Sequence, residues 1–346
     1  MSFKQLIDAH KPIIQAPMAG GITTPELVSA VCKAGAIGSF GFAYSTAEAI
    51  HHALQETSYI KDAIINANFF VFNKVTPPQE SQAQQAITAL EALSDAPDIA
   101  YEIPKAPYFP SLSQQIEPVW QHKPQILTFH FGLPSQDIID KAHRHDIYVG
   151  ISATNLSDAR AIEAAGADFV IAQGIEAGGH RGTFEPYPEE DEGVSTQDLT
   201  TLLSQNLSIP IVSAGGIMCD KDIKIMLEAG ASAVQIGTGF LCCDEAGTSA
   251  DYRHYLLTKQ ERPTVYTRGF SGRLAQSIET SFTKEMANQA ILPFPLQNTL
   301  TGALRKQAVK SGNPEHQSLW AGQNFTKIKA QPVQDFITEL MNYTHL

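Results

Sequence analysis

The chain has 346 residues, enough for one large barrel or two ordinary domains. Hydrophobic residues make up 43% and charged residues 17%, the balance of a chain with a substantial core. A formal net charge of −12 argues against a general nucleic-acid or anionic-membrane surface, although one bound phosphate needs only a few oriented amides.

At the N-terminus, MSFKQLIDAHKPIIQAPM lacks an apolar stretch followed by a small-residue cleavage site. No run approaches the roughly 18 apolar residues of a membrane span. Short apolar runs then alternate with amphipathic ones. Candidate strands cover Pro12–Met18, Ala36–Gly41, Ile64–Phe72, Ile126–Gly132, Ile147–Ala153, Phe169–Gly174, Pro210–Gly216 and Ala233–Leu241. Helical patterns at Thr24–Ala34, Thr46–Thr57, Gln136–His145, Ser157–Ala165 and Lys221–Ala229 lie between them. Parallel strands cannot be joined by hairpins, so helical crossovers imply a parallel sheet, and eight strands close a barrel. The glycine-rich turn of a doubly wound dinucleotide fold is absent after the first strand. Its nearest match, Gly237–Cys242, lacks the third glycine and ends a late strand. The expected fold is therefore α/β: one (β/α)8 TIM-barrel domain over 1–346. It carries an insertion at 73–123 after strand three and a mainly helical C-terminal extension at 244–346. Within the insertion a helix is expected at Pro78–Leu93, followed by the proline-punctuated stretch Ala96–Pro124. A loop is expected at Gln260–Gly272. Cys32, Cys219, Cys242 and Cys243 form no CxxC pair, which suits a reducing compartment. A cytoplasmic protein, monomer or homodimer, is the expectation.

Active sites of such barrels lie at the C-terminal ends of the strands, often with phosphate bound beyond strands seven and eight. Strand seven ends in SAGGI, with Gly215 and Gly216, and strand eight in QIGTG, with Gln235, Ile236, Gly237 and Thr238. One glycine cluster alone suggests a tight turn; two at this place suggest amides approaching a phosphate, with a hydroxyl from Thr238. Strand one ends in QAPMAGG, where Ala16, Pro17 and Met18 would let a flat ring lie against the backbone. Asn68 and Gln173 end strands three and six and could reach a ring edge. His180 follows Gly178 and Gly179 on a turn at the barrel mouth, placed to act as a base when neutral or to steady an anion when protonated. His130, ending strand four, is the second candidate. His51, His52, His143 and His145 fall on helices and are expected at the surface. No spacing suggests a metal site. Arg181, Arg273 and Arg305 could attract an anionic substrate, but surface solvation is the expected fate of any one.

These residues resemble the nitronate monooxygenases, formerly 2-nitropropane dioxygenases, and their class I branch. The likeness rests on QAPMAGG (Gln15–Gly21), HFG (His130–Gly132), QGIEAGGHRG (Gln173–Gly182), SAGGI (Ser213–Ile217) and QIGT (Gln235–Thr238). The segment from Ile151 to Ala159 is less exact, with serine at Ser152 and Ser157 where the family tends to threonine and glutamate. The resemblance implies noncovalent FMN, O2 as oxidant and an alkyl nitronate as substrate, propionate 3-nitronate above all. It also implies FMN contacts from Asn68, Gln173, Gly178, Gly215 and Gln235–Thr238, with His180 and His130 facing the substrate. Two alternatives stand beside it: an FMN-dependent NAD(P)H reductase acting on an enoyl-acyl carrier or quinone, and a non-catalytic FMN-binding barrel.

Overall fold

The structure is a computed structural model that describes residues 2–72, 75–94, 99–185, 191, 193–258 and 261–342. Residues 73, 74 and 95–98 of the expected insertion, Gln260, and residues 343–346 lie outside it.

The strands are β1 (Ile13–Gln15), β2 (Gly38–Gly41), β3 (Ile65–Phe70), β4 (Ile126–His130), β5 (Tyr148–Ala153), β6 (Phe169–Gln173), β7 (Gly179–His180), β8 (Ile211–Ala214), β9 (Ala233–Ile236), β10 (Thr264–Thr267) and β11 (Ala275–Ile278). Eight of them form one parallel sheet in the order β1-β9-β8-β6-β5-β4-β3-β2. The sheet closes through a parallel bridge between Ile14 and Ile37, with Gln15 N donating to Ile37 O and Ile37 N to Ile13 O, each 2.9 Å. This is a (β/α)8 TIM barrel.

Local chemistry accounts for the alternation. Thr24 caps the helix Pro25–Lys33 by accepting from Leu27 N, and Pro25 supplies a preset φ at its start. Gly166 and Gly230, at φ +83° and +106°, turn the chain out of helices into the following strands. Strands end earlier than the apolar runs predict because the backbone leaves the ladder toward the mouth. Phe131 sits at φ +77°, and Gly215 and Gly216 at +128° and +68°.

The floor is plugged by the helix Phe3–Asp8, whose Phe3 stacks on Phe169 at 3.9 Å. Phe169 in turn fills the space over Gly150, where a Cβ would fall 2.1 Å from its ring. Higher in the barrel a polar relay crosses four strands. Ser39 N donates to Gln15 Oε1, Asn66 Nδ2 to Ser39 Oγ, Thr128 Oγ1 to Asn66 Oδ1, and Asn68 Nδ2 to Thr128 Oγ1. Buried amides and hydroxyls are satisfied this way without water, and Asn68 is thereby fixed at the top.

The segment between β3 and β4 holds the expected helix, at Glu80–Glu91, and two short ones at Leu112–Gln115 and Glu117–His122. The C-terminal region is mainly helical, but β10 falls within the stretch expected to be a loop. With β11 and β7 it makes a three-stranded antiparallel sheet in which Ala275 pairs with His180 and Gln276 with Gly179. Proline and glycine around TVYT obscured a strand that forms by pairing with β11, whose other edge takes β7. The last helix, Val333–Leu340, packs its Val333, Phe336 and Ile337 against Ile13, Leu27 and Phe240. Among the described residues no helix is long and apolar enough to cross a membrane.

Candidate active site

A cavity of about 690 Å³ opens at the C-terminal end of the barrel, within the usual range for small-ligand sites. Every site residue singled out from the sequence lines it, though each does something different there.

On one side are the glycine turns after β8 and β9. Gly215 and Gly216 take positive φ, and a Cβ at Gly237 would press on Ala16 at 3.4 Å, so the wall there is bare backbone. Thr238 Oγ1 accepts from Gly322 N at 3.0 Å and keeps its own hydrogen to donate. Asn324 Nδ2 donates to Gly216 O at 2.6 Å. Gly178 lies so close to the same loop that a Cβ would meet Ala321 C and Gly322 N at 2.5 Å. Gly322 and Asn324, absent from the sequence reading, thus complete the cradle from the far end of the chain.

Across the floor lie Ala16, Pro17 and Met18, with Asn68, Gln235 and Ile236 beside them. Gln235 Oε1 is buried and has no hydrogen-bond partner among the described residues. An orphaned acceptor beside a glycine-walled hollow suits a planar ligand with N–H edges and a phosphate tail. Gln173 has another duty than the one expected of it. Its Nε2 donates to His180 O at 3.0 Å and its Oε1 accepts from Gly182 N at 2.7 Å, so it braces the histidine turn from both ends. One N–H and one lone pair of that amide remain for a ligand.

His180 is held by β7 against β11. Its Nε2 lies 2.8 Å from Ser271 Oγ, whose hydroxyl donates to Arg273 O at 3.2 Å. Ser271 then accepts from His180 Nε2, which leaves Nδ1 carrying the lone pair. Four aromatic rings surround the imidazole: Trp320 at 5.2 Å, Phe131 at 5.8 Å, Phe294 at 5.9 Å and Phe70 at 6.3 Å. His130 Nε2 donates to the His180 carbonyl at 3.2 Å, and its ring fits because a Cβ at Gly182 would lie 2.7 Å away. Burial, then the charges of Arg273 and Arg181, outweigh that carbonyl and pull His130 down to about 3. Burial, His130, Arg273 and Arg305 together do the same to His180, also to about 3. Both imidazoles are neutral at neutral pH.

The three arginines correct the sequence expectation, since none is spent in bulk solvent. Arg181 is 1% exposed; it pairs with Asp191 at 2.7 and 2.9 Å and donates to Gln173 O and Gly174 O. Arg273, 3% exposed, lies 3.9 Å over the Phe131 ring and donates to Thr183 O. Arg305 lines the cavity. Their glycine- and apolar-rich surroundings gave little sign of this, because the burying elements come from opposite ends of the chain. Of the surface histidines, His143 faces Asp168 at 3.0 Å and His51 faces His122 at 2.9 Å. Among the described residues no three His, Cys, Asp or Glu side chains are grouped to hold a metal.

The comparisons with known proteins agree with this geometry. Residues 2–342 match the family described as nitronate monooxygenase. The chain belongs to the nitronate monooxygenase family. A nitronate monooxygenase of Paraburkholderia phytofirmans is 36% identical over 343 residues, covering 97% of this chain and 92% of the relative. One from Pseudomonas aeruginosa is 35% identical, covering 98% and 97%. Among solved structures, a nitroalkane oxidase from Streptomyces ansochromogenes superposes with a TM-score of 0.88 at 33% identity, covering 98% of this chain and 99% of that one. FabK from Thermotoga maritima reaches 0.75 at 24% identity, covering 99% and 95%, a likeness of fold alone. As a nitronate monooxygenase family member the protein is an oxidoreductase, and a flavin is the cofactor the family implies.

Proposed function

We propose that the protein binds FMN and uses O2 to oxidise alkyl nitronates, propionate 3-nitronate among them, to a carbonyl compound and nitrite. The observation that carries this reading is the joining of a glycine-walled cradle, in one cavity, to two histidines kept neutral by burial and by the charges of nearby arginines. Gly178, Gly179, Gly215, Gly216, Gly237 and Thr238 suit the phosphate. Ala16, Pro17, Met18, Asn68, Gln173, Gln235 and Ile236 suit the ring. When bound, FMN supplies the electron chemistry.

The protein's own residues do the rest. A nitronate already carries the electron density of a carbanion, so no proton has to be removed from it. Arg273 and Arg305 lend a positive field, which favours a negative substrate in a dry site. His180 and His130, being neutral, add no charge that would repel the anion or hold it as an imidazolium would; with both Nε2–H groups bonded inside the protein, they shape the wall beside it. Phe131, Phe294 and Trp320 keep water from the reacting carbon. For a neutral nitroalkane His180 Nδ1 would have to take the α-proton, a harder task for an imidazole made so weak a base by its surroundings.

The test is nitrite release when flavin-loaded protein is mixed with propionate 3-nitronate in air, beside an anaerobic mixture with NADH. Nitrite formation with no rapid bleaching of the flavin by NADH supports the reading. Rapid bleaching by NADH with no nitrite refutes it in favour of a reductase, and a yellow protein inert to both refutes it in favour of simple binding.

A further inference from the structure

Two residues lining the cavity, Arg305 and Tyr44, carry hydrogen-bond donors that the scheme above leaves unused. Arg305 stands in the helix Gly302–Ser311, with Nε donating to Thr301 Oγ1 and Nη2 to Asn298 O and Oδ1. Nη1 makes no hydrogen bond to a described residue, and no described carboxylate lies within ion-pairing distance. Burial pulls its pKa down, as expected for a cation stripped of water without an anion in return. Tyr44 lines the same cavity, and its hydroxyl likewise has no hydrogen bond to a described residue. Arg305, Tyr44 and His180 line the one cavity, and the Arg305 charge acts on both of the others. Tyr44 packs edge-on to Phe70 at 5.8 Å, and Phe70 lies 6.3 Å from His180, so one aromatic ring separates the two.

A half-buried guanidinium whose Nη1 has no partner among the described residues can receive a carboxylate, since charge-assisted N–H···O bonds from Arg to carboxylate oxygens are strong. Leaving it unpaired costs folding free energy, which natural chains tolerate chiefly where a ligand supplies the partner. We infer that Arg305 Nη1 and the Tyr44 hydroxyl clamp a carboxylate on the substrate, one ring's width from the carbon oxidised beside His180, and so select carboxylated nitronates over uncharged ones. This rests on the functional reading above and names the residues that would set its specificity. Lys306 is the competing cation, because it lines the cavity too, but it is exposed and solvated and makes a weaker receptor.

The experiment compares propionate 3-nitronate with ethyl nitronate on the flavin-loaded enzyme, and reads the ratio of their kcat/KM values. In Arg305→Gln the ratio falls by about 30-fold or more, mostly through KM for the carboxylated substrate, as for a lost partner of a buried charged pair. In Tyr44→Phe, which leaves fold and charge alone, it falls roughly 3- to 10-fold, the worth of one hydrogen bond. A ratio unchanged within about 3-fold in Tyr44→Phe and Arg305→Gln overturns the inference. So does a ratio that moves in Lys306→Met instead, or an Arg305→Gln protein that purifies without flavin, which would give Arg305 to the cofactor. Absence of nitrite from both substrates in the wild type brings down the functional reading itself, a different outcome from an unchanged ratio.

Discussion

Replacing Asp191 with asparagine removes the carboxylate facing a guanidinium that is 1% exposed. Arg181 gives Asp191 two bonds, from Nε at 2.7 Å and Nη2 at 2.9 Å. Its Nη1 bonds to the carbonyls of Gln173 and Gly174, at 3.0 and 2.9 Å, survive the change. Breaking a buried pair by removing one partner usually costs about 3–5 kcal/mol, and the surviving bonds place this case near about 3 kcal/mol. The assay is equilibrium urea unfolding at pH 7, followed by tryptophan fluorescence. A loss under about 1 kcal/mol would refute the view that this pair is effectively desolvated. The double variant Arg181→Met with Asp191→Leu should recover much of the loss, since two apolar groups leave no stranded charge. The pH dependence has a definite sign. Burial alone would raise the Asp191 carboxyl, but the Arg181 bonds and charge, with the Gly193 N–H, hold it below its ordinary value. A depressed folded pKa contributes fully above the unfolded value, about 3.9, and fades as pH falls below that. Wild type and Asp191→Asn should therefore converge in stability as acid is added below about pH 4.

Other predictions follow the site. His180→Asn should depress turnover of a neutral nitroalkane more than turnover of its nitronate in parallel steady-state assays; equal losses would contradict the division between orienting and proton removal. With both histidines near 3 when folded and about 6.5 when unfolded, the unfolded chain binds more protons in between, so their contribution to stability drains away as pH falls from about 6.5 toward 3. His130→Gln should flatten that part of the stability profile, and an unaltered slope would show the imidazole to be better solvated than its setting implies. Gly178→Ala would force a Cβ to 2.5 Å from the backbone of Ala321 and Gly322. It should lower the flavin absorbance relative to protein absorbance in purified samples. Gln235→Leu should weaken FMN binding about 10-fold, by removing one hydrogen-bonding group, while leaving the flavin-free protein as stable as before.

Much of this was legible in the chain because barrel grammar is local. Apolar runs of strand length, helix-ending glycines such as Gly166 and Gly230, and glycine pairs after the late strands each reveal themselves within ten residues. His180 and His130 could be picked out for the same reason, since each ends a recognisable strand or glycine turn. The partners that give those histidines their character could not. Ser271, Phe294, Trp320, Gly322 and Asn324 belong to a region with no barrel periodicity, and they reach the mouth only through tertiary folding. Arg181 and Arg273 read as surface residues because a charged side chain near glycine carries no sign of burial. Gln173 was placed in the cavity, but its bracing bonds to His180 O and Gly182 N depend on a turn geometry that no sequence spacing encodes.

The pairing of Gly179–His180 with Ala275–Gln276 has a consequence for synthesis. All eight barrel strands have been synthesised once Ile236 is made, yet the strand that pairs with the histidine turn is encoded about forty residues later, and the loop that bonds to Thr238 later still. A chain interrupted between these points holds every barrel strand but lacks the ladder that pairs with Gly179–His180. The segments that pin the histidine turn and close the cradle are thus the last part of the site to be made.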